Sequence, residues 1–111
     1  MKYEEIVEKV KKLCGDADLK GYDQHLAVEV GIEGEGAGVF YIEAKEGKVY
    51  VEPYDYRDKD VRFVATADNF HKIASGKLDP VAAFTTGKLK VEGSIDKALE
   101  FKKLLDTLKK K

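Results

Sequence analysis

One cysteine, Cys14, stands among 111 residues, so no internal disulfide forms. With two well-separated histidines, His25 and His71, it cannot assemble the Cys/His cluster of a structural zinc site. No run approaches the ~18–20 consecutive apolar residues of a membrane-spanning helix. Met1 to Val10 has no apolar signal-peptide centre, so the expected location is the cytoplasm. Side-chain amides are scarce, Gln24 and Asn69 alone, and arginine is outnumbered by lysine 18 to 2. Abundant Lys and Glu with few thermolabile amides is the bias of proteins working at high temperature.

What the chain does contain is 43% hydrophobic and 37% charged residues with a net charge of -1, the profile of one globular domain over residues 1–111. The charge is uneven. Residues 1–79 sum to -5, whereas residues 80–111 carry 8 basic and 4 acidic side chains, +4. A basic C-terminal third favours an anionic head group or a membrane surface. Its interleaved acids exclude nucleic acid, which selects a basic stripe with stacking aromatics.

The period of the apolar residues sets the elements. Tyr3, Ile6, Val7, Val10, Leu13 and Cys14 recur at steps of three and four, which predicts a helix over Lys2 to Cys14 ended by Gly15. From His25 to Ile32 the period becomes two, with Leu26, Val28, Val30 and Ile32 on one side, as in a half-buried strand. After the Gly34, Gly36, Gly38 turn, Val39 to Ala44 and Lys48 to Glu52 form two more strands around Lys45-Glu46-Gly47, completing an antiparallel meander. A loop from Pro53 to Asp60 crosses to a strand at Val61 to Thr66. Asp68 is the expected cap of a helix running to Ser75, and Asp79-Pro80 opens a second short helix ended by Gly87. Lys88 to Glu92 reads as a fifth strand with Leu89 and Val91 inward, and Gly93-Ser94 starts the last helix. Helices on one face of a largely antiparallel sheet, an α+β layout, accommodate this order.

Catalytic patterns are sparse. The Gly34 to Gly38 glycines precede a strand instead of opening a helix, and Glu35 repels phosphate, so they read as a turn. Cys14 lies on an apolar stripe, as a small buried hydrophobe does. His71 reads as a surface or hydrogen-bonded histidine, and His25 sits on the outward phase of its strand. Glu29, Glu43 and Glu52 fall opposite the apolar phase, so no acid is expected in the core.

Apolar supply is the positive signal. Phe40, Ile42, Val51, Phe63, Phe70, Ile73, Phe84 and Leu89 point to one side of the sheet. In the last helix Ala98, Phe101, Leu104, Leu105 and Leu108 span an arc of about 120°, with Ile95 and Leu99 beyond it. Either a plain core or a cavity for an apolar ligand fits this pattern. If a cavity, its lining is Phe40, Ile42, Val51, Phe63, Phe70, Ile73, Phe84, Leu89, Phe101, Leu104, Leu105 and Leu108, with no catalytic residue, metal or cofactor. The last helix, with Lys102, Lys103 and Lys109 to Lys111 beside its apolar side chains, then suits a lid whose lysines hold a head group at the mouth.

The segment from Gly76 to Gly93, GKLDPVAAFTTGKLKVEG, resembles the hallmark of the sterol carrier protein type-2 family: Gly-Lys-Leu, a proline, Ala-Phe, then Gly-Lys-Leu-Lys-x-x-Gly. Gly36-x-Gly38-Val39-Phe40-Tyr41-Ile42 with Gly47-Lys48-Val49 is similar to the family's glycine-aromatic strand and hairpin, and Ala67-Asp68-x-Phe70 to the start of its helix. The resemblance covers roughly residues 20 to 108. It implies a five-stranded mixed sheet of order 3-2-1-4-5, helices on one face, and non-catalytic binding and transfer of a fatty acid, fatty acyl-CoA, sterol-like or isoprenoid lipid. The partners it implies are a long-chain lipid and transiently a membrane surface or lipid-metabolising enzyme, the chain being a monomer or homodimer. An accessory subunit presenting a lipid to an enzyme, or a small isomerase or hydrolase using the same pocket, are the alternatives.

Overall fold

The computed structural model describes residues 2–14, 25–34, 37–55 and 59–109, with side chains through residue 106. Helix α1 (Tyr3–Cys14) is followed by strands β1 (Leu26–Glu33), β2 (Gly38–Lys45), β3 (Lys48–Glu52) and β4 (Val61–Thr66). Helices α2 (Ala67–Ala74) and α3 (Pro80–Thr85), strand β5 (Lys90–Gly93) and helix α4 (Ile95–Lys109) complete the order. The strands form one sheet in the order β3-β2-β1-β4-β5, antiparallel except for the central β1–β4 pair, as the resemblance implies.

Local chemistry explains the connections. Lys45 pairs with Lys48, so the β2–β3 turn has two residues, not the three expected. Both have positive φ, Glu46 at 54° and Gly47 at 76°, as a connection matched to the strand twist requires. In α1, Glu4 and Glu5 sit in the first turn and Lys11 and Lys12 in the last, complementing the helix dipole. Helix α2 is capped by Thr66, whose hydroxyl accepts from the Asn69 N–H at 3.2 Å, in place of the expected Asp68, which lies in the first turn. Asp79 caps α3 as expected, its Oδ2 accepting from the Ala82 N–H at 3.2 Å. The fifth strand starts two residues later than its pattern suggests. The N–H groups of Lys88 and Leu89 donate to the Ala83 carbonyl at 2.8 and 3.1 Å, which ties both residues to the end of α3.

The inward phases meet the helices in one core. Ile6 and Val10 of α1, Val28 and Val30 of β1, Phe40 and Ile42 of β2, Phe63 of β4, Phe70 and Ile73 of α2 and Phe101 and Leu104 of α4 are all essentially closed to water. Phe40 meets Phe70 edge-on with centroids 5.8 Å apart, and Phe63 meets Phe101 at 5.2 Å. No described helix is long and apolar enough to cross a membrane.

The outer face of the sheet corrects one expectation. Glu29 and Glu43 are 4% and 7% exposed, buried although they lie on the outward phase. Glu92, Arg62, Glu29, Tyr41 and Glu52 stand in register across all five strands. Arg62 Nε lies 3.5 Å from carboxylate oxygens of both Glu29 and Glu92, and Lys59 Nζ 3.8 Å from Glu29. Long basic side chains thus cover an acid that phase alone places in water. Gly31 leaves room for this arrangement, since a Cβ there would stand 3.1 Å from Arg62 Nη2.

Two contacts set testable limits. A Cβ at Gly38 would stand 2.7 Å from the ring of Tyr3, whose hydroxyl donates to the Val39 carbonyl at 2.6 Å. Gly38→Ala is therefore expected to cost about 1–3 kcal/mol in urea unfolding, and most of that penalty should vanish in a Tyr3→Ala background. Asp60 donates its N–H to the Ala27 carbonyl at 2.8 Å and accepts the Ala27 N–H on Oδ2 at 2.9 Å. Asp60→Ala leaves that β1 donor unsatisfied and should cost about 1–3 kcal/mol by the same measurement; an unchanged midpoint would contradict this role.

Candidate functional site

The site is an apolar groove of about 130 Å³ where α3, β5 and α4 meet above β4. Phe63 of β4 forms part of its wall, supported from within by Phe101. Helix α3 contributes Pro80, Val81 and Phe84, and the following segment Leu89 and Val91. From α4 come Ile95, Ala98, Leu99 and Lys102, a set spaced i, i+3, i+4, i+7 that forms one stripe of the helix. A neighbouring stripe, Phe101, Leu104 and Leu105, faces the core. The helix is therefore apolar over two adjacent faces, one spent on folding and one left at the groove.

Its rim is exposed. Val81 is 45%, Phe84 50%, Ile95 55% and Leu99 45% accessible to water. Single exposed apolar residues are ordinary on protein surfaces, whereas these four cluster around one concave apolar wall. Lys102 is the ionisable side chain in the described lining, with Nζ 3.1 Å from Asp79 Oδ1. That contact, first among its causes, holds the Asp79 carboxyl below the usual range. Pro80 and Lys102 also bound a second hollow of about 150 Å³, completed by Gly76, Leu78, Asp79, Leu105 and Asp106.

The expected lining residues divide between these places. Phe63, Phe84 and Leu89 reach the groove, and Leu105 the second hollow. Phe40, Ile42, Val51, Phe70, Ile73, Phe101 and Leu104 pack with one another in the core, and the side chain of Leu108 lies outside the described residues. Sequence reasoning nominated none of Val81, Ile95 and Leu99 as lining, whereas Lys102, expected beside the mouth, does border the groove. The spacing of Ile95 and Leu99 beyond the inward arc was the signal that could have found them.

The other chemistry-bearing groups described lie away from this groove. Cys14 is buried, and desolvation pushes its thiol up to about 11, so it stays protonated and unreactive at neutral pH. His25 Nε2 lies 2.6 Å from Glu43 Oε2 on the sheet's outer face. His71 lines a hollow between α1 and α2 with Lys9 and Lys12. Among the described residues no group of three His, Cys, Asp or Glu side chains could hold a metal.

Comparison with known proteins agrees with this architecture. Hydroxysteroid dehydrogenase-like protein 2 of Homo sapiens is 35% identical over 106 residues, which cover 95% of this chain and 25% of that protein. The chain thus spans about a quarter of that longer relative. Sterol carrier protein 2 of Arabidopsis thaliana is 29% identical, over 81% of this chain and 88% of its own length. The palmitated SCP2L2 of Aedes aegypti, solved by solution NMR, shares the fold with a TM-score of 0.71 at 21% identity, over 95% of each chain. Residues 4–106 match the SCP-2 sterol transfer family, and the chain belongs to it.

Proposed function

We propose that the chain binds a single-chain lipid through the α3–β5–α4 groove and carries it without covalent change. The observation that carries this reading is the ring of half-exposed apolar side chains, Val81, Phe84, Ile95 and Leu99, around an apolar wall. Size narrows the ligand class. At 130 Å³ the groove is smaller than the several hundred Å³ of a site for a compact drug-sized ligand, which favours a narrow acyl or isoprenoid tail over a fused-ring sterol body.

Magnitudes assign the work between groove and rim. Taking each methylene as about the volume of a water, roughly 30 Å³, the groove holds about four. Burial at about 0.8 kcal/mol each contributes about 3 kcal/mol, which alone corresponds to affinity weaker than millimolar. Covering the exposed halves of the four rim side chains adds about 1 kcal/mol apiece, bringing the total into the range of micromolar binding before ordering costs. The rim thus contributes as much as the hollow.

The buried acids support carriage over catalysis in this groove. Glu29 and Glu43 lie on the opposite face of the sheet, engaged by Arg62, Lys59 and His25. Presentation of the same bound lipid to an enzyme is the second reading, favoured by the match to one quarter of a much longer relative. Saturable displacement of a fluorescent fatty acid by single-chain lipids is the expected result, and its absence for all of them would overturn the proposal. Leu99→Glu and Phe84→Asp, both at half-exposed positions, should weaken that binding about tenfold or more while leaving the urea midpoint nearly unchanged.

A further inference from the structure

We propose that Lys102 is a crossbar that limits how much of a lipid tail the protein buries, so that this residue sets the preference for chain length. This rests on the preceding reading of the groove as the tail site. The groove of about 130 Å³ and the second hollow of about 150 Å³ share Pro80 and Lys102 in their walls. They also follow one another along α4. Ala98 and Leu99 line the first, Leu105 and Asp106 line the second, and Lys102 lines both. Steps of three and four residues keep Ala98, Lys102 and Leu105 on one side of the helix, so the hollows are two parts of one trough with a single α4 side chain between them. From Ile95 to Asp106 the helix rises about 16 Å.

The crossbar is held at both ends. Its backbone belongs to α4, and its Nζ lies 3.1 Å from Asp79 Oδ1 at the start of α3. Asp79 is itself fixed, because its Oδ2 accepts the Ala82 N–H as the cap of that helix. A lysine stem packs along apolar surface while its ammonium keeps a polar contact. A tail advancing along α4 past Leu99 therefore meets the Lys102 stem before it reaches Leu105. Room lies beyond it. At roughly 30 Å³ per methylene, the second hollow takes about five more. The pair with Asp79 is partly exposed and of the kind that contributes little net stability, so a shorter side chain at this position opens the passage without unfolding the chain. The limit acts on the tail and holds whatever the head group.

The test is how affinity depends on chain length: decanoate and myristate, each displacing a fluorescent lipid below its aggregation concentration, from the wild type, Lys102→Ala and Lys102→Arg. The ratio between two acids of one series cancels the contribution of the shared carboxylate. Decanoate already fills the groove and covers its rim, so myristate is expected to bind the wild type less than about fivefold tighter. In Lys102→Ala the added methylenes enter the second hollow, where each contributes up to about fourfold, and the ratio should rise to about fiftyfold. Lys102→Arg keeps both the apolar stem and a cation for Asp79, and should return the ratio to the wild-type value. Urea midpoints check that both variants are folded. A Lys102→Ala ratio equal to that of the wild type, or a Lys102→Arg ratio matching Lys102→Ala, would overturn the crossbar while leaving the tail site standing. Failure of both acids to bind the wild type saturably would instead remove the reading on which it rests.

Discussion

Asp60 holds together the parts of the molecule on which the groove depends. Its backbone and side chain clasp Ala27 at the start of β1, fixing the parallel β1–β4 register that makes the sheet mixed. Its carbonyl accepts from the Ser94 N–H at 3.3 Å, and a Cβ at Gly93 would come within 3.0 Å of that oxygen. Ser94 in turn accepts the N–H of Ala98 on its carbonyl and that of Lys97 on its hydroxyl, at the first turn of α4. One residue therefore sets where β4 begins, where β5 ends and where α4 starts. Because Ile95, Ala98 and Leu99 follow within two turns, the groove inherits its wall position from this clasp.

The same packing explains why the groove stays open. Helix α4 commits Phe101, Leu104 and Leu105 to the core, where Phe101 meets Phe63. Its second apolar stripe lies outside that contact and faces α3. Helix α3 has six residues and buries Ala83, while Val81 and Phe84 remain exposed. The Ala83 carbonyl draws Lys88 and Leu89 back to the helix end, shortening β5 to four residues. A short helix and a short edge strand leave too little covering surface for the second stripe of α4, and the hollow is what remains between them.

Most of the architecture was legible because it rests on period and punctuation. The shift from a 3.6 to a 2 repeat marks α1 and β1, Asp79-Pro80 marks α3, and the motif from Gly76 to Gly93 carries the strand order by resemblance. What was not legible depends on which of several available partners the folded geometry selects. Thr66 and Asp68 are both capable caps, and only the geometry of the strand end selects Thr66. The start of β5 is decided by one carbonyl five residues upstream of Lys88. The burial of Glu29 needs Lys59 from the end of the crossover and Arg62 from β4 brought over it. Inward phase likewise cannot tell a residue that lines a void from one that fills it. Phe40 and Phe70 fill each other's space, whereas Phe84, equally apolar, lies half in water.

That last distinction bears on function through its energetic consequence. Four half-exposed apolar side chains contribute little to folding, since the surface they leave in water is surface whose burial the fold forgoes. A ligand that covers them binds the folded chain and not the unfolded one, so the contribution withheld from folding becomes available to binding and returns as stability in the complex. The core makes this tolerable, because Phe40, Phe63, Phe70 and Phe101 are fully buried and stabilise the sheet without help from the rim. With the groove as the proposed lipid site, folding and binding draw on separate stripes of one helix. On that proposal, changes to Ile95 or Leu99 alter the ligand face while Phe101 and Leu104 keep the scaffold in place.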